Sequence, residues 1–215
     1  MIKLLENIAW LGHSSFRIST ELIIFVDPWQ INEDIKADLI FITHSHYDHC
    51  SVKDVARIVK PETVIITTSD SADKLRGVGC EIYETKPGDK GEAKNIKFEA
   101  VHAYNINKDH HPKSSNWVGY ILEVLGERLY FAGDTDYIPE MKHLHEIDVA
   151  FLPIGGEFTM GVDEAIKAAL EIHPKYVVPT HYGEFIGDAE DAENFASVMD
   201  QKDPTIEVVI KTKEM

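Results

Sequence analysis

Short runs of β-branched and aromatic residues open the chain, and turn-forming residues separate them. The runs over residues 8–11, 15–18 and 22–26 predict an antiparallel meander of three strands. Residues 37–42 follow as a continuous apolar run with the length and composition of a buried strand. Apolar positions then recur at helical spacing after Ser51, which forms a capping-box-like start with Asp54.

The rest of the chain alternates between these two patterns. Strands are predicted over residues 63–67, 80–83, 96–101, 118–124, 128–132, 148–152, 176–178 and 205–210, and helices over 70–76, 162–172 and 188–199. Strands in both halves with interspersed helices indicate an α/β (α+β) fold of two packed sheets under outer helices. No linker or low-complexity segment interrupts the pattern, so we expect residues 1–215 to form a single domain.

Charge narrows the class of partner. The 21 Lys and Arg residues against 37 Asp and Glu residues give a formal net charge of −16, which repels phosphate backbones and anionic lipid heads. We therefore expect a small-molecule substrate and no nucleic acid, although bound metal ions would reverse the field locally. Whether the chain forms a homo-oligomer stays open.

Membrane and secretory signals are not predicted. No apolar run approaches the ~20 residues that span a bilayer, and Glu6 and Asn7 interrupt the N-terminal segment. Cys50 and Cys80 are too few for a disulfide scaffold. These features favour a cytoplasmic protein.

A cluster of candidate metal ligands directly follows the buried strand at residues 37–42. His44, His46, Asp48 and His49 lie within six residues, and alternate residues of an extended segment point the same way, so His44 and His46 can bind one ion. Imidazole nitrogen and carboxylate oxygen together suit zinc and its first-row neighbours. The spacing therefore predicts a metal site at the end of this strand.

Further candidate ligands also come shortly after predicted strands. His102, Asp134 and His181 each hold such a position, as His44 does. Groups at the ends of several strands can converge on one edge of a sheet sandwich, and we expect that convergence here. Residues 103–116 form a long polar loop of the kind that covers a site or is mobile.

The spacing of His44, His46, Asp48 and His49 matches the His-x-His-x-Asp-His hallmark of the metallo-β-lactamase superfamily, which the chain resembles over nearly its whole length. Later family positions fall on His102, Asp134 and His181 in the right order. Residues 11–15, 131–136, 153–160 and 179–183 make it similar to small metal-dependent hydrolases related to ascorbate-6-phosphate lactonase and the phospholipase D that cleaves N-acyl phosphatidylethanolamine.

The resemblance implies an αββα sandwich with two divalent metal ions. Its ligand pattern assigns one ion to His44, His46 and His102 and the second to Asp48, His49 and His181, with Asp134 as the bridge. Zinc is the expected metal, with manganese, nickel or iron as alternatives. The implied activity is hydrolysis of a small ester, lactone or phosphodiester by a metal-activated hydroxide, with Asp48 and Asp134 as catalytic residues.

Five more residues are candidates for supporting or substrate-binding roles. Asp27 is expected to orient a ligand histidine or to cap a turn, and His13 to line the pocket or to lie in an exposed turn. His111 either touches substrate or is solvated on the long loop. Thr159 and Tyr182 border matching motifs and could shape the pocket, although Tyr182 suits the core equally.

Two alternatives to hydrolysis remain open within the same fold. One is an iron-dependent redox or oxygen-handling protein, and the other is a non-catalytic metal-binding sensor. Hydrolysis of β-lactam antibiotics is not expected, because many true lactamases carry cysteine at the position of Asp134.

Overall fold

The computed structural model describes residues 3–183 and 186–214, which form two β-sheets with helices around them. The strands are β1 (Ile8–Gly12), β2 (Ser15–Ser19), β3 (Ile23–Val26), β4 (Leu39–Ile42), β5 (Val64–Thr67), β6 (Glu81–Glu84), β7 (Lys90–Ala93), β8 (Ile96–His102), β9 (Val118–Val124), β10 (Glu127–Phe131), β11 (Val149–Pro153), β12 (Tyr176–Thr180) and β13 (Glu207–Val208). The α-helices are α1 (Val52–Ile58), α2 (Ser69–Lys74), α3 (Val162–Ile172) and α4 (Ala189–Lys202). Short 3-10 helices cover Lys3–Asn7, Lys113–Ser115 and Pro139–His143.

The two sheets share a common plan. The first has the order β1-β2-β3-β4-β5-β6, antiparallel from β1 to β3 and parallel from β3 to β6. The second has the order β13-β12-β11-β10-β9-β8-β7, antiparallel from β7 to β10 and parallel from β10 to β13. The parallel neighbours β10, β11 and β12 therefore end at the same edge of the second sheet, which is where Asp134 and His181 follow.

Aromatic side chains fill the space between the sheets. The ring of Phe16 from the first sheet lies 4.8 Å from that of Phe151 in the second, and the ring of Phe41 lies 5.2 Å from that of Tyr120. All four side chains are buried. Edge-to-face contacts of this kind add to the free energy of burying apolar area, so the sandwich is held by its aromatic core.

Most of the predicted elements are confirmed. The meander, the helix after Ser51, the helix at Val162–Ile172 and the β9–β10 hairpin are present, with Leu125 and Gly126 at positive φ in its two-residue turn. Strand β7 was missed, because its alternating exposed positions carry no apolar signal. The predicted strand at residues 205–210 shortens to Glu207–Val208, since only that segment pairs with β12.

No helix within residues 3–183 and 186–214 combines the length and the hydropathy needed to cross a bilayer.

Two buried tyrosines on neighbouring strands give a matched test of the contact between the sheets. The hydroxyl of Tyr120 lies 3.2 Å from the carbonyl oxygen of Ile42 and 3.3 Å from that of Ile66, both in the first sheet. The hydroxyl of Tyr130 is buried without a hydrogen-bond partner among the described residues.

We predict that Tyr120→Phe lowers the free energy of unfolding by about 1 kcal/mol, because a buried hydrogen bond between the sheets is lost. Tyr130→Phe, the control, should leave the free energy of unfolding unchanged or raise it, because the hydroxyl removed has no partner. Urea unfolding of the two variants and the parent protein measures both values. Equal losses in both variants would contradict the assigned role of the Tyr120 hydroxyl.

Candidate metal centre

Histidine and aspartate side chains from distant segments meet at one edge of the sandwich. They form two groups of potential ligand atoms, each with all its atoms within 4.8 Å of one another. The first group is His44, His46, His111 and Asp134, and the second is His13, Asp48, His49 and His181. The convergence expected from strand ends is therefore present for His44, Asp134 and His181.

Asp134 lies between the two groups. One of its carboxylate oxygens, Oδ2, is 3.2 Å from Nε2 of His111 in the first group and 3.2 Å from Nε2 of His181 in the second. The other oxygen, Oδ1, is 3.2 Å from Nε2 of His49. A single carboxylate thus touches imidazoles of both groups, as expected of a ligand shared by two ions.

Several of these buried atoms are not aligned for a hydrogen bond with any group in the described part of the chain, although two of the imidazole nitrogens lie 3.2 Å from a carboxylate oxygen. They are Nε2 of His49, Nε2 of His111, Nδ1 of His181 and Oδ1 of Asp134. Leaving a buried polar atom unsatisfied costs about 1–3 kcal/mol, so such a concentration at one place calls for another partner. Divalent cations would satisfy imidazole nitrogens and carboxylate oxygens together, and the residues present therefore fit a metal centre.

Neighbouring oxygens orient two of the candidate ligand histidines. The Asp27 carboxylate is 2.8 Å from Nδ1 of His49 and accepts hydrogen bonds from the backbone N–H and hydroxyl of Thr43. Because the Thr43 hydroxyl donates to Asp27, it is left to accept from Nδ1 of His44, 2.9 Å away. Both rings consequently direct Nε2 toward the centre, and the Asp27 carboxylate lies where it can orient the His49 ring.

Burial and neighbouring charges shift the pKa values of the candidate ligands in different directions. Burial lowers the pKa of His44 well below its usual value and that of His46 to about 4, so both rings are neutral with a free lone pair at neutral pH. Burial alone would raise the pKa of Asp134, but the positive potential of His181 and His49 holds it well below its usual value. Burial would likewise lower the pKa of His49, but Asp134 and Asp27 raise it.

The structure does not bring His102 into either group. Its ring contacts Tyr104 at 6.1 Å, and the chain then turns away through the long loop. His111 takes the expected place of His102, because the loop doubles back: the backbone N–H of Asn105 donates to the carbonyl of His111 at 2.7 Å. The first group of potential ligand atoms thus contains His111, which we had expected at most to touch substrate, in place of His102, which the resemblance assigned to it.

His13 joins the second group rather than lying in an exposed turn. Its Nε2 is 3.2 Å from Oδ2 of Asp48, and its ring is 3.9 Å from that of His181. His13 and His181 both have positive φ, and the backbone N–H of His181 donates to the carbonyl of His13 at 3.1 Å. Strained backbone of this kind commonly marks functional sites.

A close approach of two strand ends requires glycine before Asp134. Gly133 has a φ of +66°, and a Cβ atom there would lie 3.0 Å from the carbonyl oxygen of Val118 and 3.1 Å from Cβ of Thr43. Only glycine fits both the conformation and the space. This contact brings Asp134 beside the segment that carries His44.

The two remaining candidates, Thr159 and Tyr182, belong to neither group of potential ligand atoms. Thr159 is buried, and its hydroxyl donates a hydrogen bond to the carbonyl of Met160. Tyr182 is also buried, stacked on Trp10 at 5.2 Å, so it acts as a core residue. Burial raises the pKa of Cys50 to about 11, which makes a thiolate nucleophile there unfavourable at neutral pH.

Aromatic residues that we had not singled out form the walls of the centre. The ring of Trp117 lies 4.9 Å from that of His44 and 4.7 Å from that of His46, while Trp29 lies 5.3 Å from His13. Tyr47, between the ligand positions, is 72% exposed and contacts Trp29 edge-on. In the sequence these residues cannot be told apart from core aromatics. Only their nearness to candidate ligand positions indicates a role at the site.

Comparisons with known proteins agree with this geometry. A family model described as a beta-lactamase superfamily domain matches residues 7–181. The chain is 34% identical over 217 residues to a UPF0173 metal-dependent hydrolase from Thermococcus onnurineus, covering 91% of this chain and 93% of that protein. It is 31% identical over 208 residues to one from Thermoplasma acidophilum, covering 90% of this chain and 92% of that protein.

A solved structure is similar over almost the full length. The crystal structure of a candidate metal-dependent hydrolase from Parabacteroides distasonis superimposes with a TM-score of 0.85 at 37% identity, covering 97% of this chain and 93% of that one. Together with the family match, this establishes the metallo-β-lactamase fold expected from the sequence. The chain therefore belongs to the β-lactamase superfamily and, within it, to the UPF0173 metal-dependent hydrolases.

Proposed function

We propose that this protein is a hydrolase that binds two divalent cations side by side and cleaves a small ester, lactone or phosphodiester. The observation that carries the proposal is the pair of ligand groups with Asp134 between them. In this proposal His44, His46 and His111 hold one cation, Asp48, His49 and His181 hold the second, and Asp134 is shared. His13 is within reach of the second cation.

Zinc is the proposed metal, because the donors are mainly imidazoles, and manganese, nickel and iron are the alternatives for such a set. When bound, such cations lower the pKa of water from ~15.7 to near 7 and polarise a carbonyl or phosphoryl oxygen.

Asp48 is the carboxylate best placed to act on a reacting group. Its side chain is 20% exposed, whereas that of Asp134 is only 3% exposed. Burial would raise the pKa of Asp48, but the hydrogen bond from His13 and the charge of His49 lower it to about 2. Asp48 therefore stays ionised at neutral pH, where it can orient an attacking water and accept a hydrogen bond from it.

Exposed apolar side chains indicate which kind of substrate the site can bind. Tyr47, the residue before Asp48, presents an exposed ring that contacts Trp29, and Ile106 of the long loop is 52% exposed. The ammonium group of Lys74 donates to the carbonyl of Ser45. Because it already has a partner within the chain, it is a poor candidate for binding a charged part of the substrate. These features support a substrate whose apolar acyl or ring portion packs against Tyr47.

We predict that His111→Ala weakens zinc binding by more than about tenfold at one of two sites, because a ligand is removed. His102→Ala, the matched control on the same loop boundary, should leave both affinities within about twofold. Titration of the metal-free proteins against a chromophoric chelator measures stoichiometry and affinity. Weakened binding in His102→Ala with none in His111→Ala would contradict the proposed ligand set.

Hydrolysis is tested with the zinc-loaded protein on lactones, p-nitrophenyl esters and bis-p-nitrophenyl phosphate. We predict turnover of at least one class, its loss with chelator, recovery on adding zinc, and a fall of roughly 100-fold in Asp134→Ala, because Asp134 supports both cations. His102→Ala should retain activity. Turnover that survives both the chelator and Asp134→Ala would refute the proposal.

A further inference from the structure

A second aspartate follows Asp134 at a distance of two residues, and it faces the long loop rather than the metal centre. The Asp136 carboxylate accepts hydrogen bonds from the backbone N–H of Ile106 at 2.8 Å and from Nζ of Lys108. Lys108 also donates to the carbonyl of Thr159 at 2.8 Å. Asp136 therefore anchors the loop that carries His111 to the segment that carries Asp134.

Asn105 connects this anchor to His111. Its side-chain N–H groups donate to Asp136 at 2.9 Å and to the carbonyl of Phe158 at 2.9 Å. Its side-chain oxygen is 3.0 Å from the backbone nitrogen of His111 and 2.9 Å from Nδ1 of the same residue. The amide is buried, and all four of these contacts are internal to the chain.

The donors and acceptors in these contacts determine which ring nitrogen of His111 carries the proton. The Phe158 carbonyl and the Asp136 carboxylate, which is paired with Lys108, can only accept, so the amide nitrogen of Asn105 must face them. Its oxygen then faces His111, and Nδ1 must carry a proton in order to donate to it. A neutral ring protonated at Nδ1 has its lone pair on Nε2, the atom that lies 3.2 Å from Asp134.

We infer that Asn105, held by Asp136 and Phe158, is a positioning residue that fixes both the orientation and the tautomer of His111 for cation binding. The inference rests on the proposed function in one respect, which is that His111 is a metal ligand. It also gives Asp136 a specific role, because this carboxylate orients the amide that in turn orients the ligand. Asp27 acts on His49 directly, whereas Asp136 acts on His111 through Asn105.

Other contacts of the same loop provide a control, because they anchor it without reaching His111. Nζ of Lys113 is 2.6 Å from the Glu140 carboxylate and 3.3 Å from the hydroxyl of Tyr104. Lys113→Met removes this surface anchor and leaves the amide of Asn105 in place. If anchoring the loop were all that mattered, the two anchors would have similar effects.

The test compares Asn105→Leu and Lys113→Met with the parent protein. Two-bond ¹H–¹⁵N spectra of metal-free, histidine-labelled protein at alkaline pH distinguish protonated from unprotonated ring nitrogens, and His111→Ala assigns the signal. Zinc affinity is measured by chelator competition, and circular dichroism with urea unfolding establishes that each variant folds.

We expect Nδ1 of His111 to be protonated in the parent protein and in Lys113→Met. Asn105→Leu should lose the fixed tautomer and bind zinc about 10- to 100-fold more weakly at one site, the usual effect of removing a group that orients a ligand. Lys113→Met should stay within about twofold of the parent affinity.

The inference is overturned if Asn105→Leu keeps the tautomer and binds zinc within twofold of the parent, or if Lys113→Met weakens zinc binding equally. Should Asn105→Leu fail to fold, an unprotonated Nδ1 of His111 in the metal-free parent protein overturns it instead. A His111→Ala variant with unchanged zinc affinity would refute the ligand assignment in the proposed function. Weakened binding in His111→Ala together with unchanged binding in Asn105→Leu would refute only the role of Asn105.

Discussion

The buried carboxylate of Asp134 is the constraint on which the site depends. An ionised group taken out of water is costly unless other charges and hydrogen bonds compensate, and here imidazoles of His49, His111 and His181 approach it to 3.2 Å. Several of these atoms are close to one another but are not aligned for a hydrogen bond with any group in the described part of the chain. Within the protein alone, this arrangement leaves buried polar atoms unsatisfied, whereas bound cations would satisfy them. This difference links the fold to metal-dependent chemistry.

The two-sheet topology explains why these groups meet. Six of the eight grouped residues follow the carboxyl ends of β4, β10 and β12, and parallel pairing within the second sheet brings the last two of these strands to one edge. Gly133 permits the close approach of the Asp134 segment to Thr43, and the aromatic core holds the sheets at a fixed separation. Rigid strands thus set the positions of most ligands, while oxygens of Asp27 and Thr43 set the ring orientations.

The sequence was sufficient to predict those site residues whose positions follow from a local pattern. The spacing of His44 and His46 and the apolar strands before Asp134 and His181 placed those residues correctly at one edge. The choice between His102 and His111 was beyond such reasoning, because periodicity shows where β8 ends but not how a long polar loop returns. That return depends on contacts of Asn105 with Asp136 and Phe158, which are far apart in the chain. Trp29 and Trp117 were missed for a related reason, since nothing in their local pattern separates a wall of the site from the core.

The most direct test of the central claim is anomalous diffraction at the zinc absorption edge from crystals of the metal-free protein soaked with zinc. Two adjacent peaks are predicted, one bounded by His44, His46 and His111 and the other by Asp48, His49 and His181, with the Asp134 carboxylate between them. Absence of zinc from this edge of the sandwich, or a peak coordinated by His102 in place of His111, would contradict the account.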